Sequence, residues 1–204
     1  LLGILKWEKP IPATMGGTVK GNFPSFIPKT DQERLQNLKA EFLGHHDEYY
    51  NRVGWFEENA EWEISEKLDG TSCTIYMKDG VFGVCSRNLE LKETEGNVYW
   101  HLARKYNIEQ LLRDNNLDNI AIQGEIIGPG IQDNRYGLKE PDLYVFDIFN
   151  IQEGRYLTSF RISLCDTLGL KHTPYWINYI QHVAATYEDF ITYADAKSFV
   201  GDKK

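Results

Sequence analysis

Glu66-Lys67-Leu68-Asp69-Gly70-Thr71-Ser72 places an amine, a carboxylate and a glycine within four consecutive positions. Lysine is a poor nucleophile at neutral pH, because its amine keeps its proton up to about pH 10.4. Burial or nearby positive charge releases that proton. A divalent cation with its water shell, held by Asp69 and Glu125, would supply such a charge. Gly70 lets the backbone turn tightly behind the lysine. Taken alone, these four residues are more often a surface β-turn.

Three further blocks follow in order. Cys85-Ser86-Arg87-Asn88 ends a strand with a guanidinium whose forked donors suit a ribose or phosphate oxygen; an exposed strand-end arginine is the plainer alternative. Gln123-Gly124-Glu125-Ile126-Ile127-Gly128-Pro129-Gly130 sets a carboxylate in the middle of an apolar strand. A charge there is costly unless a ligand or an opposite charge meets it, so a structural ion pair is the alternative to a metal or nucleotide site. Leu143-Tyr144-Val145-Phe146-Asp147-Ile148 carries an aromatic ring beside an acid. Such a ring can stack on a purine, although a single aromatic on a strand is more often core.

The elements that would position these groups follow from periodicity. Glu61 to Lys67 alternates, with Trp62, Ile64 and Glu66 on one side, and reads as a strand ending at the lysine. Thr74–Met77 and Val81–Cys85 flank Lys78-Asp79-Gly80, a type I′ hairpin signal. Ile120–Ile127 and Leu143–Phe149 are β-rich runs separated by a Gly/Pro loop. Helical spacing covers Asn97–Tyr106, Ile108–Asp114, Ser159–Leu168 with Gly169 as its stop, and Thr186–Ala194. Thr30-Asp31-Gln32-Glu33 is a capping box for a helix over Asp31–Leu43. Residues 1–29, rich in Pro and Gly, read as an irregular lead-in. The expected class is α+β with mostly antiparallel sheet.

Composition narrows the setting. The chain has 204 residues, 42% of them hydrophobic, enough to bury a sizeable core. It contains no run of 18 apolar residues, which excludes a membrane-spanning helix. Cys73, Cys85 and Cys165 are scattered, without disulfide or zinc spacing, and suit a reducing, intracellular (cytoplasmic) location. The net charge of −8 argues against a strongly nucleic-acid-seeking surface. His45, His46, His101, His172 and His182 show no metal-ligand spacing, and no phosphate-binding or dinucleotide glycine pattern occurs.

Together, Lys67-Leu68-Asp69-Gly70, Ser86-Arg87-Asn88, Gly124-Glu125 and Phe146-Asp147 resemble, in sequence and order, motifs I, the following strand motif, III and IIIa of the covalent nucleotidyltransferases: DNA ligases, RNA ligases and mRNA capping enzymes. Ser86-Arg87-Asn88 and the string from Gly124 to Gln132 with Asn134 and Tyr136 resemble the RNA ligases in particular. Phe26-Ile27-Pro28-Lys29-Thr30-Asp31-Gln32-Glu33-Arg34 looks like the lead-in of the fifth RNA ligase family, in which an OB-like domain precedes the nucleotidyltransferase domain. The implied organisation is residues 1–20 as a lead-in or the tail of such a domain, and residues 21–204 as a nucleotidyltransferase (ATP-grasp-like ligase) domain of antiparallel sheets with flanking helices.

The resemblance implies an ATP-dependent ligase that joins RNA 3′-hydroxyl and 5′-phosphate ends, nicked or single-stranded, through a lysyl-AMP intermediate. It makes Lys67 the nucleophile. Glu66, Leu68, Ser72, Arg87, Glu125, Phe146 and Arg34 become nucleotide contacts, and Asp69 and Glu125 hold Mg²⁺ or Mn²⁺. No membrane and no obligate protein partner are implied. The later family blocks, a glutamate near a glycine and a Lys-x-Lys, are not found. The chain, which also lacks an initial Met, is therefore expected to be part of a longer protein. A DNA ligase, a capping guanylyltransferase and a non-catalytic nucleotide- or RNA-binding fragment are the alternatives. Nucleotide and end preference separate the first two from an RNA ligase, and a lysine–AMP adduct excludes the third.

Overall fold

A computed structural model describes residues 17–30, 62–178, 192, 195 and 197–201. The Asp31–Leu43 helix, and with it Arg34, lies outside the described residues, as do the side chains of Trp62 and Ile64 and all but one position of the Thr186–Ala194 helix.

The frame is a seven-stranded sheet built from β1 (Val19–Asn22), β3 (Thr71–Lys78), β4 (Val81–Ser86), β5 (Leu89–Leu91), β6 (Ile120–Ile127), β7 (Asp142–Asn150) and β8 (Arg155–Tyr156). Their order is β1-β5-β4-β3-β6-β7-β8, and every pairing is antiparallel. β2 (Trp62–Ser65) and β9 (Tyr175–Asn178) form a separate antiparallel pair. At the tip of the β3–β4 hairpin Asp79 and Gly80 have φ of 50° and 75°, the two left-handed positions that a type I′ turn requires.

β3 alternates chemically less than a half-exposed strand does, because both of its faces are covered: Cys73 to Met77 are all buried. Cys73, Ile75 and Met77 join Ile122, Ile126, Val145 and Ile148 in the main core. The helices α1 (Val98–Lys105), α2 (Ile108–Asp114) and α3 (Thr158–Leu168) close this face with Tyr99, Leu102, Leu112, Leu164 and Leu168. On the other face Tyr76, Cys85, Ala121 and Phe149 pack against Ile27. The segment Phe23–Thr30 thus straps across the sheet opposite the helices.

Two helix ends obey local rules. α3 stops at Gly169, in the left-handed conformation at φ 64°. α1 starts at Asn97, whose side-chain oxygen accepts from the amides of Tyr99 and Trp100 at 3.0 and 3.3 Å while its Nδ2 donates to the Lys92 carbonyl at 3.1 Å. Asn97 is buried, so no water replaces these bonds. Asn97→Ala is expected to cost about 1–2 kcal/mol, read as a lower urea midpoint at unchanged slope.

Several expectations change. Val19–Asn22, inside the stretch read as irregular, is an edge strand that pairs with β5. The strand expected to end at Lys67 ends at Ser65, and only the Glu66 amide extends the pairing, donating to the Pro174 carbonyl at 2.9 Å. Lys67 therefore sits on the β2–β3 loop. Short strands such as β5, β8 and β9 carry too few residues for periodicity to register. Among the described residues no helix is long and apolar enough to cross a membrane.

Candidate active site

The four motif blocks meet at one end of the sheet, because antiparallel register brings their positions into adjacent rows. Ser72 on β3 pairs with Glu125 on β6, and Glu125 pairs with Tyr144 on β7. Cys73 pairs with Ser86, so the next residue along β4, Arg87, falls in the two-residue turn into β5 beside the same row. Lys67 reaches this row from the loop that feeds β3.

The loop is held at every residue around the lysine. Glu66 accepts the Phe199 amide at 3.0 Å. Leu68 is buried with Ile127, Tyr136 and Val200, so its side chain is an anchor and only its backbone can meet a ligand. The Asp69 amide donates to the Tyr136 hydroxyl at 2.7 Å, and the Asp69 carboxylate pairs with the Arg135 guanidinium at 2.8 Å. The Gly70 amide donates to Glu125 Oε1 at 2.9 Å. The Lys67 side chain itself is exposed.

Glu125 is half-buried, and that burial pushes its carboxyl up to about 7. The Gly70 amide, Lys67 and Arg87 pull it back down, and Asp69 adds like-charge repulsion. Two carboxylates close enough to repel suit a cation between them. No group of three or more His, Cys, Asp or Glu side chains that could cage a metal occurs among the described residues. Asp69 and Glu125 offer carboxylate oxygens, the donor type that Mg²⁺ and Mn²⁺ take.

The remaining candidates are distributed around this row. Arg87 is exposed at its turn, where Asn88 accepts the Phe23 amide through its carbonyl and Lys29 Nζ through Oδ1 at 3.0 Å. Ser72 is half-buried, and its hydroxyl is 2.6 Å from that of Thr30 at the end of the strap. Phe146 marks a β-bulge: Gln123 pairs with Asp147 and Gly124 with Val145, leaving Phe146 without an opposite residue. Val145 and Ile148, three positions apart, both face the main core, and half-buried Phe146 and Asp147 lie between them. The bulge re-aims an aromatic and an acid that strict alternation would send to opposite faces.

The comparisons with known proteins fit this geometry. The RNA ligase family profile matches residues 60–198, which include Lys67, Asp69, Arg87, Glu125 and Phe146. The chain belongs to the RNA ligase family. A Naegleria gruberi RNA ligase variant solved with ATP and Mn is 40% identical, with a TM-score of 0.82, over 100% of this chain and 57% of that one. The same ligase with PPi gives 41% identity and a TM-score of 0.81 over 100% and 58%, and a variant with AMP and Mn gives 40% and 0.82 over the same shares. The chain thus spans somewhat over half the length of these structures. The comparison with curated proteins gives no match. Membership accords with the expected α+β nucleotidyltransferase class.

Sequence reasoning assigned no role to Arg135, read Thr30 only as part of a capping box, and noted Tyr136 only as part of a string. Both Arg135 and Tyr136 lie in a loop with no periodicity. The available signal was the Gly128-Pro129-Gly130 turn ahead of Asn134, which marks a compact loop without saying what it touches.

Proposed function

We propose that this RNA ligase family member carries the nucleotidyl-transfer centre of an ATP-dependent RNA ligase, with Lys67 as the residue that takes up AMP. The observation that carries the reading is an exposed lysine on a loop that is tied two and three residues further on, at Asp69 to Tyr136 and at Gly70 to Glu125. An amine held this way can meet a phosphorus atom with little further ordering, which is where positioning lowers a barrier most.

In the first step Lys67 Nζ, having lost a proton, attacks the α-phosphorus of ATP. A P–N bond forms, the bond to the bridging oxygen breaks, and pyrophosphate leaves. The AMP then passes to the 5′-phosphate of an RNA end, freeing the lysine, and a 3′-hydroxyl displaces AMP to leave a phosphodiester. Arg87 offers its guanidinium to a ribose or phosphate oxygen, and Phe146 offers a face for adenine. Backbone atoms of Glu66 and Leu68, together with Ser72, line the approach, and Arg34 contacts the departing phosphates. Asp69 and Glu125 would hold Mg²⁺ or Mn²⁺ through its water shell. When bound, that ion offsets triphosphate charge and favours the deprotonated amine.

The N. gruberi structures with ATP, AMP, PPi and Mn support this choice of nucleotide and metal. The domain division at residues 20 and 21, an intracellular setting, and nicked or single-stranded RNA ends as substrate belong to the same proposal.

The test is intact mass and peptide mapping after incubation of the full-length protein with ATP and Mn²⁺, beside GTP. One AMP per chain, mapped to Lys67 and transferred on to 5′-phosphorylated RNA, is the expected result. An adduct on another residue, or none at all, would overturn the assignment.

A further inference from the structure

The loop between β6 and β7 is built as a brace for the catalytic loop. From Gly128 the chain turns sharply, and Gln132, Asp133 and Asn134 are three consecutive non-glycine residues with left-handed φ of 43°, 58° and 48°. Each L-residue in that region costs on the order of 1 kcal/mol, so compensating bonds must hold the run in place. Asn134 supplies two, accepting the Leu138 amide at 3.0 Å and donating to the Leu138 carbonyl at 2.9 Å. Leu68, Ile127 and Val200 bury the Tyr136 ring, and Gly201 lies against its backbone so closely that a Cβ there would be 2.1 Å from the Tyr136 carbonyl oxygen.

What the brace presents is directed at Asp69 and Gly70. The Tyr136 hydroxyl takes the Asp69 amide, Arg135 takes the Asp69 carboxylate, and Gln132 Nε2 makes a long contact of 3.4 Å to the Gly70 carbonyl. Neither Asp69 nor Gly70 has a regular strand partner for these groups, since β3 begins at Thr71. Without the brace the peptide after Leu68 would have an unsatisfied amide beside a half-buried site, or would turn to find another acceptor.

We propose that Tyr136 is a positioning residue for AMP transfer. Its hydroxyl fixes the Leu68–Asp69 peptide, and with it the direction in which Lys67 leaves the loop, while Arg135 steadies the adjoining carboxylate. The role rests on Lys67 being the residue that takes up AMP. It predicts a defect in rate rather than in nucleotide affinity, because Tyr136 lies behind the loop, in the cluster with Leu68 and Val200.

The experiment compares full-length wild type, Tyr136→Phe and Tyr136→Leu by amide hydrogen exchange of the peptide containing residues 66–71 and by single-turnover AMP transfer across ATP concentrations. Phe keeps the buried ring and removes only the hydroxyl. Tyr136→Phe is expected to exchange faster at 69–70 and to slow transfer roughly tenfold or more, with the ATP half-saturation and melting temperature close to wild type. Tyr136→Leu, which also loses packing, is expected to lower the melting temperature as well. Wild-type rate and exchange in Tyr136→Phe would overturn the proposal, as would a defect confined to ATP half-saturation. If wild type takes up no AMP, it is the ligase reading that fails, and faster exchange at 69–70 in Tyr136→Phe still reports the brace.

Discussion

Glu125→Gln is expected to make the protein more stable above pH 7 while removing most of its AMP transfer. Burial holds the Glu125 carboxyl at about 7 in the folded chain, whereas in the unfolded chain it titrates near its ordinary value of about 4.3. Between these values the folded state binds the additional proton, so raising the pH through this window withdraws stability from wild type. Each unit of the rise is worth about 1.4 kcal/mol. Below about pH 4 the acid is neutral in both states, and wild type and the amide variant should melt together; by pH 8 the variant should melt higher. Thermal denaturation of both proteins at pH 4, 6 and 8, with a chelator present, checks the sign, and a gap that shrinks with rising pH would contradict the burial argument. The amide can still accept from Gly70, so the loop keeps its tie. What it loses is a negative charge beside Lys67 and the proposed cation position. Mn²⁺ affinity or AMP transfer should fall roughly 10–100-fold, the usual scale for a group that orients a metal's surroundings. Adding Mn²⁺ should then raise the melting temperature of wild type and leave the variant nearly unmoved.

Gly70→Ala should disable the site from the backbone side. A Cβ built on Gly70 lies 2.2 Å from the Ile126 carbonyl oxygen, 2.7 Å from Ile127 Cγ2 and 3.0 Å from Glu125 Cγ. The first of these is backbone of β6, held between β3 and β7, so it cannot yield as a flexible side chain would. The loop must move instead, and in moving it breaks the 2.9 Å bond from the Gly70 amide to Glu125. Crowding of this kind costs about 1–3 kcal/mol. The functional loss should be larger, on the order of 10²-fold in AMP transfer, because displacing the loop by an ångström misdirects Lys67. Chemical denaturation and single-turnover transfer on the same preparation separate the two effects. A variant that transfers AMP at the wild-type rate would show that the close approach has no part in positioning the lysine.

Both predictions turn on contacts between segments distant in the chain, and that is where the boundary of sequence reasoning falls. Ile108–Asp114 and Ile120–Ile127 stand where their periodicity placed them, and Gly169 ends α3 as expected, because each of these follows from residues within one or two turns. The Asp79-Gly80 turn is equally local. Lys67, Asp69, Gly70 and Glu125 could be named as a set because their types and order resemble the family's motifs. Their nearness to one another could not be read from spacing, since the pairing of Ser72 with Glu125 spans two helices and a strand pair.

β1 escaped notice because its four residues become a strand only when β5 offers an edge. Phe146 and Asp147 sit side by side on a bulge that no alternation rule predicts, since a bulge is defined by the partner strand's register. Arg135 and Tyr136 are the clearest case. Nothing within the loop indicates a target, and only the folded sheet end brings a phenol and a guanidinium onto the amide and carboxylate of Asp69. By itself, the sequence determined which groups are candidates for chemistry and most of the long elements, because side-chain type and short-range periodicity are properties of the chain. The tertiary structure alone decided which groups are held, by what and in which direction, because those are properties of register and close packing between segments far apart in the chain.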